Sequence, residues 1–185
     1  MSELNVTFDP NFISSPEKYF NLLEKEIVYL KNVKLYGRHS VPRLMAAYGD
    51  SLAYTYSFSG IKTYPRPWTS TLHTIKRMVE AQTSCKYNFC LVNKYRNGYD
   101  SIGKHKDDEE DLELDYPIAC VSFGQQRTLK FSKPGCKFVK YDMTDGSLLV
   151  MHPPTNRYWF HEIPKEPLKK DIRISLTFRK IKMLK

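Results

Sequence analysis

The sequence has little of what marks secreted, membrane-spanning or zinc-bound proteins. Its four cysteines, at positions 85, 90, 120 and 136, include no Cys-x-x-Cys pair. Neither a zinc site nor a disulfide framework is expected, and reduced thiols are the simpler reading. No apolar run approaches the roughly 18 residues that a membrane helix requires. Met1-Ser2-Glu3-Leu4-Asn5 lacks a signal-peptide pattern. Internal repeats and low-complexity segments are also missing. The expectation is an unsecreted, monomeric protein with no membrane partner.

What is present suits a globular enzyme or binding domain. With 185 residues, 41% hydrophobic and 14% aromatic, the chain is expected to form one domain over 1–185 with a substantial core. Its formal net charge is +9, from 29 basic and 20 acidic residues. Such a field favours a polyanionic partner without identifying it.

Ser15-Pro16-Glu17 reads as a helix start, with Phe20, Leu23, Ile27 and Leu30 at helical spacing behind it. A second helix is expected to open near Pro67, with Trp68, Leu72, Ile75 and Val79 on one face. Between them, Lys31 to Arg43 and Tyr54 to Phe58 suggest hairpins, the first with a basic edge. From about residue 86, candidate strands lie at Phe89 to Tyr95, Pro117 to Phe123, Thr128 to Phe131, Ser147 to Met151 and Asp171 to Phe178. Glycine and proline turns punctuate them. Short strands with few helices argue for a sandwich or closed double sheet.

Two residues apart on extended chain, His105 and Asp107 project to one face. They can supply two members of a 2-His-1-carboxylate triad, which suits non-haem Fe(II) because it leaves open coordination positions on one side. The third ligand must come from another strand. His161 is the best candidate and His152 the runner-up, since His39 and His73 lie outside the β-rich part. The segment Ile172 to Arg179 alternates strictly, with Arg173, Ser175, Thr177 and Arg179 on one face. Its two arginines, about 20 Å apart at ~3.3 Å per residue, can lean toward opposite ends of a small dicarboxylate. Alone, that strand would read as an exposed edge; behind His-x-Asp and a later histidine it reads as a cosubstrate site.

These motifs resemble the AlkB family of oxidative nucleic-acid demethylases from about Val41 to Ile181. Asn93-Lys94-Tyr95, His105-Lys106-Asp107-Asp108-Glu109, Asp145-Gly146-Ser147, Thr155-Asn156, His161 and Arg173-x5-Arg179 follow in family order. Val41-Pro42-Arg43, Tyr48-Gly49-Asp50 and Tyr56-x-Phe58-Ser59-Gly60 are most like the branch acting on duplex DNA. The resemblance implies a mainly β fold with flanking helices. Its core would be a double-stranded β-helix, or jelly roll, over about 85–185, behind an N-terminal nucleotide-recognition lid over about 1–84. It implies that His105, Asp107 and His161 ligate Fe(II). Asn93, Tyr95 and Arg173 would hold 2-oxoglutarate with Thr177 and Arg179 nearby, and dioxygen would be the second cosubstrate. It also implies that Phe58 stacks on the target base opposite His105 with Tyr56 beside it, and that Tyr36 is a wedge filling the gap left by a flipped base. The duplex-acting branch usually has phenylalanine at that wedge.

The acidic run after His105 is unexpected in a basic protein. Because 1-methyladenine and 3-methylcytosine are cationic, Glu109 and Asp108 are candidates for reading the lesion. Phosphate contacts are expected from Lys34, Arg38 and Arg43 and from Lys165, Lys169 and Lys170. The partner expected is alkylated DNA, preferably duplex, which implies the nucleus in a eukaryote and the cytoplasm otherwise. Demethylation of RNA or single strands, hydroxylation of a protein side chain, and a catalytically silent nucleic-acid-binding module are the competing readings.

Overall fold

In the computed structural model, residues 3–30, 33–35, 39–54, 56–58 and 61–182 are described, without the side chains at 34, 35, 39, 40, 56, 58 and 61. The expectations for Tyr36 and Arg38, and for the side chains of Lys34, Tyr56 and Phe58, therefore lie outside the described residues.

The chain opens with β1 (Val6–Asp9), α1 (Pro16–Glu26) and two short paired strands, β2 (Lys34–Leu35) and β3 (His39–Ser40). Strand β4 (Leu44–Gly49) precedes a second hairpin, β5 (Tyr56–Phe58) with β6 (Ile61–Thr63), and then α2 (Ser70–Thr83). Both helices begin near the expected places. Pro16 is the first residue of α1, where its missing N–H costs nothing. Ser15 makes no side-chain cap there, whereas Thr69 caps α2 by accepting from the Leu72 N–H.

The remaining elements are β7 (Phe89–Tyr95), β8 (Ile102–His105), β9 (Ile118–Gly124), β10 (Arg127–Ser132), β11 (Val139–Met143) and β12 (Leu148–Met151). The short α3 (Thr155–Tyr158), β13 (Phe160–Ile163) and β14 (Arg173–Arg179) complete the chain. Six strands form one antiparallel sheet in the order β1-β12-β9-β14-β7-β4, and four form the facing sheet, β11-β10-β13-β8. These facing sheets form the expected jelly roll.

Side-chain alternation divides the interior in two. Cys90 and Val92 of β7 and Ile174, Leu176 and Phe178 of β14 pack outward in one cluster with Leu23 of α1 and Leu72, Ile75 and Val79 of α2. Each fully buried aliphatic side chain contributes roughly 1.5–3 kcal/mol. The opposite faces of the same strands turn toward the four-stranded sheet. Strand β14 lies between β7 and β9, in the middle of the larger sheet. The exposed-edge reading of its polar face is thereby excluded, and the polar residues between the sheets need partners.

Arg127 shows how such a partner set is built. Its guanidinium is 1% exposed. It donates from Nε to Glu166 at 2.8 Å and to the carbonyls of Asn97, Asp100 and Pro164 at 3.1, 2.9 and 2.7 Å. Burial raises the Glu166 pKa, but hydrogen bonds from Thr128 and Arg127 outweigh it and leave the carboxyl below its usual 4.5. A depressed folded-state pKa contributes stability that is full above the unfolded value and is lost as pH falls through the folded one. Arg127→Met should cost about 3–5 kcal/mol, because it takes the cation from the Glu166 carboxylate and a donor from each of three carbonyls. Urea unfolding followed by tryptophan fluorescence should also show a smaller loss of stability below pH 4.5 in the variant than in the parent; equal acid sensitivity would contradict this account.

Candidate metal and cosubstrate site

The inner faces of the two sheets line an open-mouthed cleft. From the four-stranded sheet, His105 and His161 enter it as a directly opposed pair on β8 and β13. Their rings are 4.2 Å apart between centroids. Asp107 follows β8 rather than lying on it, so strand alternation does not aim it. Asn156 does: its Oδ1 accepts from the Asp107 N–H at 2.9 Å, and its Nδ2 donates to the Asp107 carbonyl. In that position Asp107 Oδ1 lies 3.6 Å from His105 Nε2 and 3.8 Å from His161 Nε2. The three ligand atoms lie within 4.8 Å of one another, close enough to share one ion.

The protonation states favour such an ion. Burial, reinforced by His105, pushes the His161 pKa down to about 3, which leaves a neutral ring with a lone pair at neutral pH. His105 Nδ1 lies 2.8 Å from the Gly103 carbonyl. A carbonyl accepts but cannot donate, so Nδ1 carries the proton and Nε2 faces Asp107 as a ligand atom. Burial disfavours the charge on Asp107, but the Arg179 guanidinium outweighs it, aided by the histidine rings, and holds the carboxyl well below the usual range. Arg179 donates from Nη2 to Asp107 Oδ2 at 2.8 Å.

His152, the runner-up ligand, lies elsewhere. Its Nε2 is 2.7 Å from Thr7 Oγ1 at the β1 end of the larger sheet. Arg43 corrects another expectation. It is 6% exposed, too deep to meet a phosphate. Its Nε donates to Asn93 Oδ1 at 2.7 Å and its Nη1 to the Ser101 carbonyl at 3.2 Å. Arg43 thus positions Asn93 from behind. Lys165 and Lys170 are exposed and Lys169 is half-buried.

Asn93, Tyr95, Arg173, Thr177 and Arg179 all line the cleft. The two arginines do not clamp its ends symmetrically. Arg179 is engaged with Asp107, while Arg173 lies over the Tyr95 ring, 5.1 Å from its centroid, and donates from Nε to Ser122 Oγ at 2.8 Å. Arg173 is 1% exposed, and its Nη1 has no hydrogen-bond partner among the described residues. A buried cationic donor without an acceptor is costly, and a carboxylate entering the cleft would satisfy it. Sequence reasoning did not single out Ser122 or Arg127, and it placed Asn156 in the family order without a role. No local pattern marks a serine or an asparagine as the support of another side chain.

A profile of the 2OG-Fe(II) oxygenase superfamily matches residues 17–179. The chain belongs to that superfamily. It is 40% identical to the DNA oxidative demethylase ALKBH2 of Bos taurus over 179 residues, 89% of this chain and 64% of that protein. It is 40% identical to the Homo sapiens protein of the same name over 183 residues, 91% of this chain and 70% of that one. The solved structure of OsALKBH1 matches 97% of this chain and 98% of its own with a TM-score of 0.71 at 15% identity, a likeness of fold. This oxygenase is thus a dioxygenase that uses Fe(II), 2-oxoglutarate and dioxygen, and the residues in the cleft fit them. Two imidazoles and a carboxylate form the donor set expected for Fe(II), and Arg173 offers a buried cationic donor, without an acceptor among the described residues, of the kind a dicarboxylate needs.

The asymmetry of the arginines separates two effects. Arg173→Met should leave the thermal midpoint unchanged or higher, since an under-partnered buried charge gives way to an apolar side chain. The same variant should weaken 2-oxoglutarate binding at least about 10-fold, while Fe(II) affinity stays within about twofold. Calorimetric titration of the cosubstrate and differential scanning calorimetry read the two effects independently.

Proposed function

We propose that the protein demethylates alkylated bases in DNA, using Fe(II), 2-oxoglutarate and dioxygen, and prefers duplex substrate. The single observation that carries this reading is the 40% identity to DNA oxidative demethylases across about nine-tenths of the chain. When bound, the iron, cosubstrate and dioxygen supply an oxidant for the N-methyl C–H bond, with succinate and carbon dioxide as coproducts and formaldehyde lost from the hydroxylated methyl.

The chain's own residues bind, orient and exclude water. His105, Asp107 and His161 hold the ion, and Arg179 keeps Asp107 ionised and turned toward it. Arg173 receives the far carboxylate of the cosubstrate, with Tyr95, Asn93 and Thr177 shaping the space around it. Glu109, half-buried two residues beyond Asp107, and Asp108, exposed, are carboxylates close in sequence to the ion. Negative charge there favours a cationic methylated base and repels a phosphate. Reaching a methyl on the pairing edge requires extruding the base, at a cost of a few kcal/mol. The hairpins carrying Tyr36, Tyr56 and Phe58 serve that step, with Tyr36 stacking into the gap. Lys165, Lys169 and Lys170, with Lys34 and Arg38, contact the phosphates. In a eukaryotic cell this activity belongs in the nucleus.

Mass spectrometry of matched single- and double-stranded oligonucleotides carrying 1-methyladenine, 3-methylcytosine or an etheno adduct tests the reading. Loss of the mass of one CH₂ per methylated base, dependent on Fe(II) and 2-oxoglutarate, is expected. Succinate release with no change in any oligonucleotide would point to another substrate. In the same assay Tyr36→Ala should impair duplex repair more than single-strand repair, and equal losses would remove the wedge role. Glu109→Ala should lose more activity on the cationic bases than on neutral etheno adducts, and parallel losses would show that Glu109 does not read charge.

A further inference from the structure

The acidic run ends in a residue that the iron chemistry does not use. Asp111 is half-buried, and its Oδ2 accepts a hydrogen bond of 2.9 Å from the backbone N–H of Ser57. Ser57 is the middle residue of β5, between Tyr56 and Phe58, and pairs with Lys62 across the hairpin. The bond therefore reaches from the segment that follows the metal ligand Asp107 to the strand of the proposed base-recognition hairpin.

The segment bearing Asp111 is itself anchored. Its carbonyl accepts from the Lys182 N–H at 2.9 Å, and Lys182 Nζ donates to the Glu110 carbonyl at 2.8 Å. Leu112 bridges Ile181, and the Glu113 N–H donates to the Lys180 carbonyl at 2.9 Å. These bonds fasten the run to the chain leaving β14, the strand that carries both arginines. At the other end of the run, Asn156 grips Asp107 through both backbone groups. The carboxylate of Asp111 thus projects from a segment held at both ends.

We infer that Asp111 is a positioning residue that latches the β5–β6 hairpin to the iron-bearing segment and so sets where a target base lies relative to the metal. An ordinary solvated acidic loop would not account for a carboxylate committed to a backbone N–H 54 residues away. The hairpin is two strands of three residues each, and an isolated two-stranded hairpin is marginally stable. A tether at its middle is where such an element gains most. The bond needs an acceptor at Asp111, not a charge, which distinguishes it from the lesion-reading role proposed for Glu109.

The inference rests on the demethylase reading for its consequence, though not for the latch. Hydrogen–deuterium exchange of the intact protein reads the latch directly. Asp111→Ala should speed exchange in a peptide spanning residues 56–63 about fivefold or more, with the core strands unchanged, and Asp111→Asn should restore protection because its carbonyl oxygen still accepts. Steady-state kinetics with a 1-methyladenine oligonucleotide should show KM rising about 5- to 10-fold in Asp111→Ala, with kcat and 2-oxoglutarate affinity within about twofold and recovery in Asp111→Asn. Unchanged exchange in Asp111→Ala overturns the latch. Faster exchange with KM unmoved overturns its role in placing the base. A parent protein that leaves every methylated oligonucleotide intact refutes the demethylase reading and this consequence with it, while the exchange result still stands or falls separately.

Discussion

Asp107 is a charged group 1% exposed to solvent, and each of its carboxylate oxygens has a different duty. Oδ2 takes the hydrogen bond from Arg179 on the six-stranded sheet; Oδ1 faces the two histidines on the four-stranded sheet. A lone carboxylate at this depth would cost several kcal/mol, and removing either partner of a buried pair is correspondingly expensive. The pairing therefore has to form when the sheets close, and it brings the arginine of one sheet to the ligands of the other. Because Arg179 holds one oxygen and keeps the carboxyl ionised, the other stays aimed at the two imidazoles. The metal site follows from that division.

The sheets can be this polar inside because hydrophobic burial is provided elsewhere. Strands β7 and β14 use one face to pack against α1 and α2 and the other to line the cleft. Ile174, Leu176 and Phe178 are core, while Arg173, Ser175, Thr177 and Arg179 belong to the site. A slip of one residue in the pairing of β14 would exchange the two sets. Burial of three large apolar side chains against the helices thus also fixes the direction of both guanidinium groups. Stability and chemistry are coupled through register, which favours a rigid strand over a loop as the carrier.

That coupling explains what could be read from the sequence. The period-two pattern of Ile172 to Arg179 identified its two faces, because a half-apolar central strand retains its alternation. Phe89 to Tyr95 was legible as a strand throughout its length, being apolar at most positions, with Phe89, Val92 and Tyr95 β-branched or aromatic. The strands that carry the histidines were not: Ile102-Gly103-Lys104-His105 and Phe160-His161-Glu162-Ile163 are too short and too polar for a periodic signal. The ligands were found through spacing and family order, not through secondary structure. Arg43 was misassigned because a lysine- and arginine-rich stretch reads as surface. Its burial depends on Asn93, 50 residues away, and pairings at that distance have no local signature.

The buried arginines Arg127, Arg173 and Arg179 also differ in how completely the fold satisfies them. Arg127 meets a carboxylate and three carbonyls, and Arg179 meets Asp107. Arg173, stacked on the same Tyr95 ring as Arg127, keeps a bond to Ser122 and leaves Nη1 without an acceptor among the described residues. A purely structural arginine would be expected to resemble Arg127, since an unmet buried donor costs about 1–3 kcal/mol. Local inconsistency of this kind is expected where a site awaits its ligand. The Arg173 position is therefore built to be completed from outside the chain, by an anionic group entering the same cleft as the metal. A fold that satisfied all three arginines internally would be more stable and would have nowhere to bind its cosubstrate.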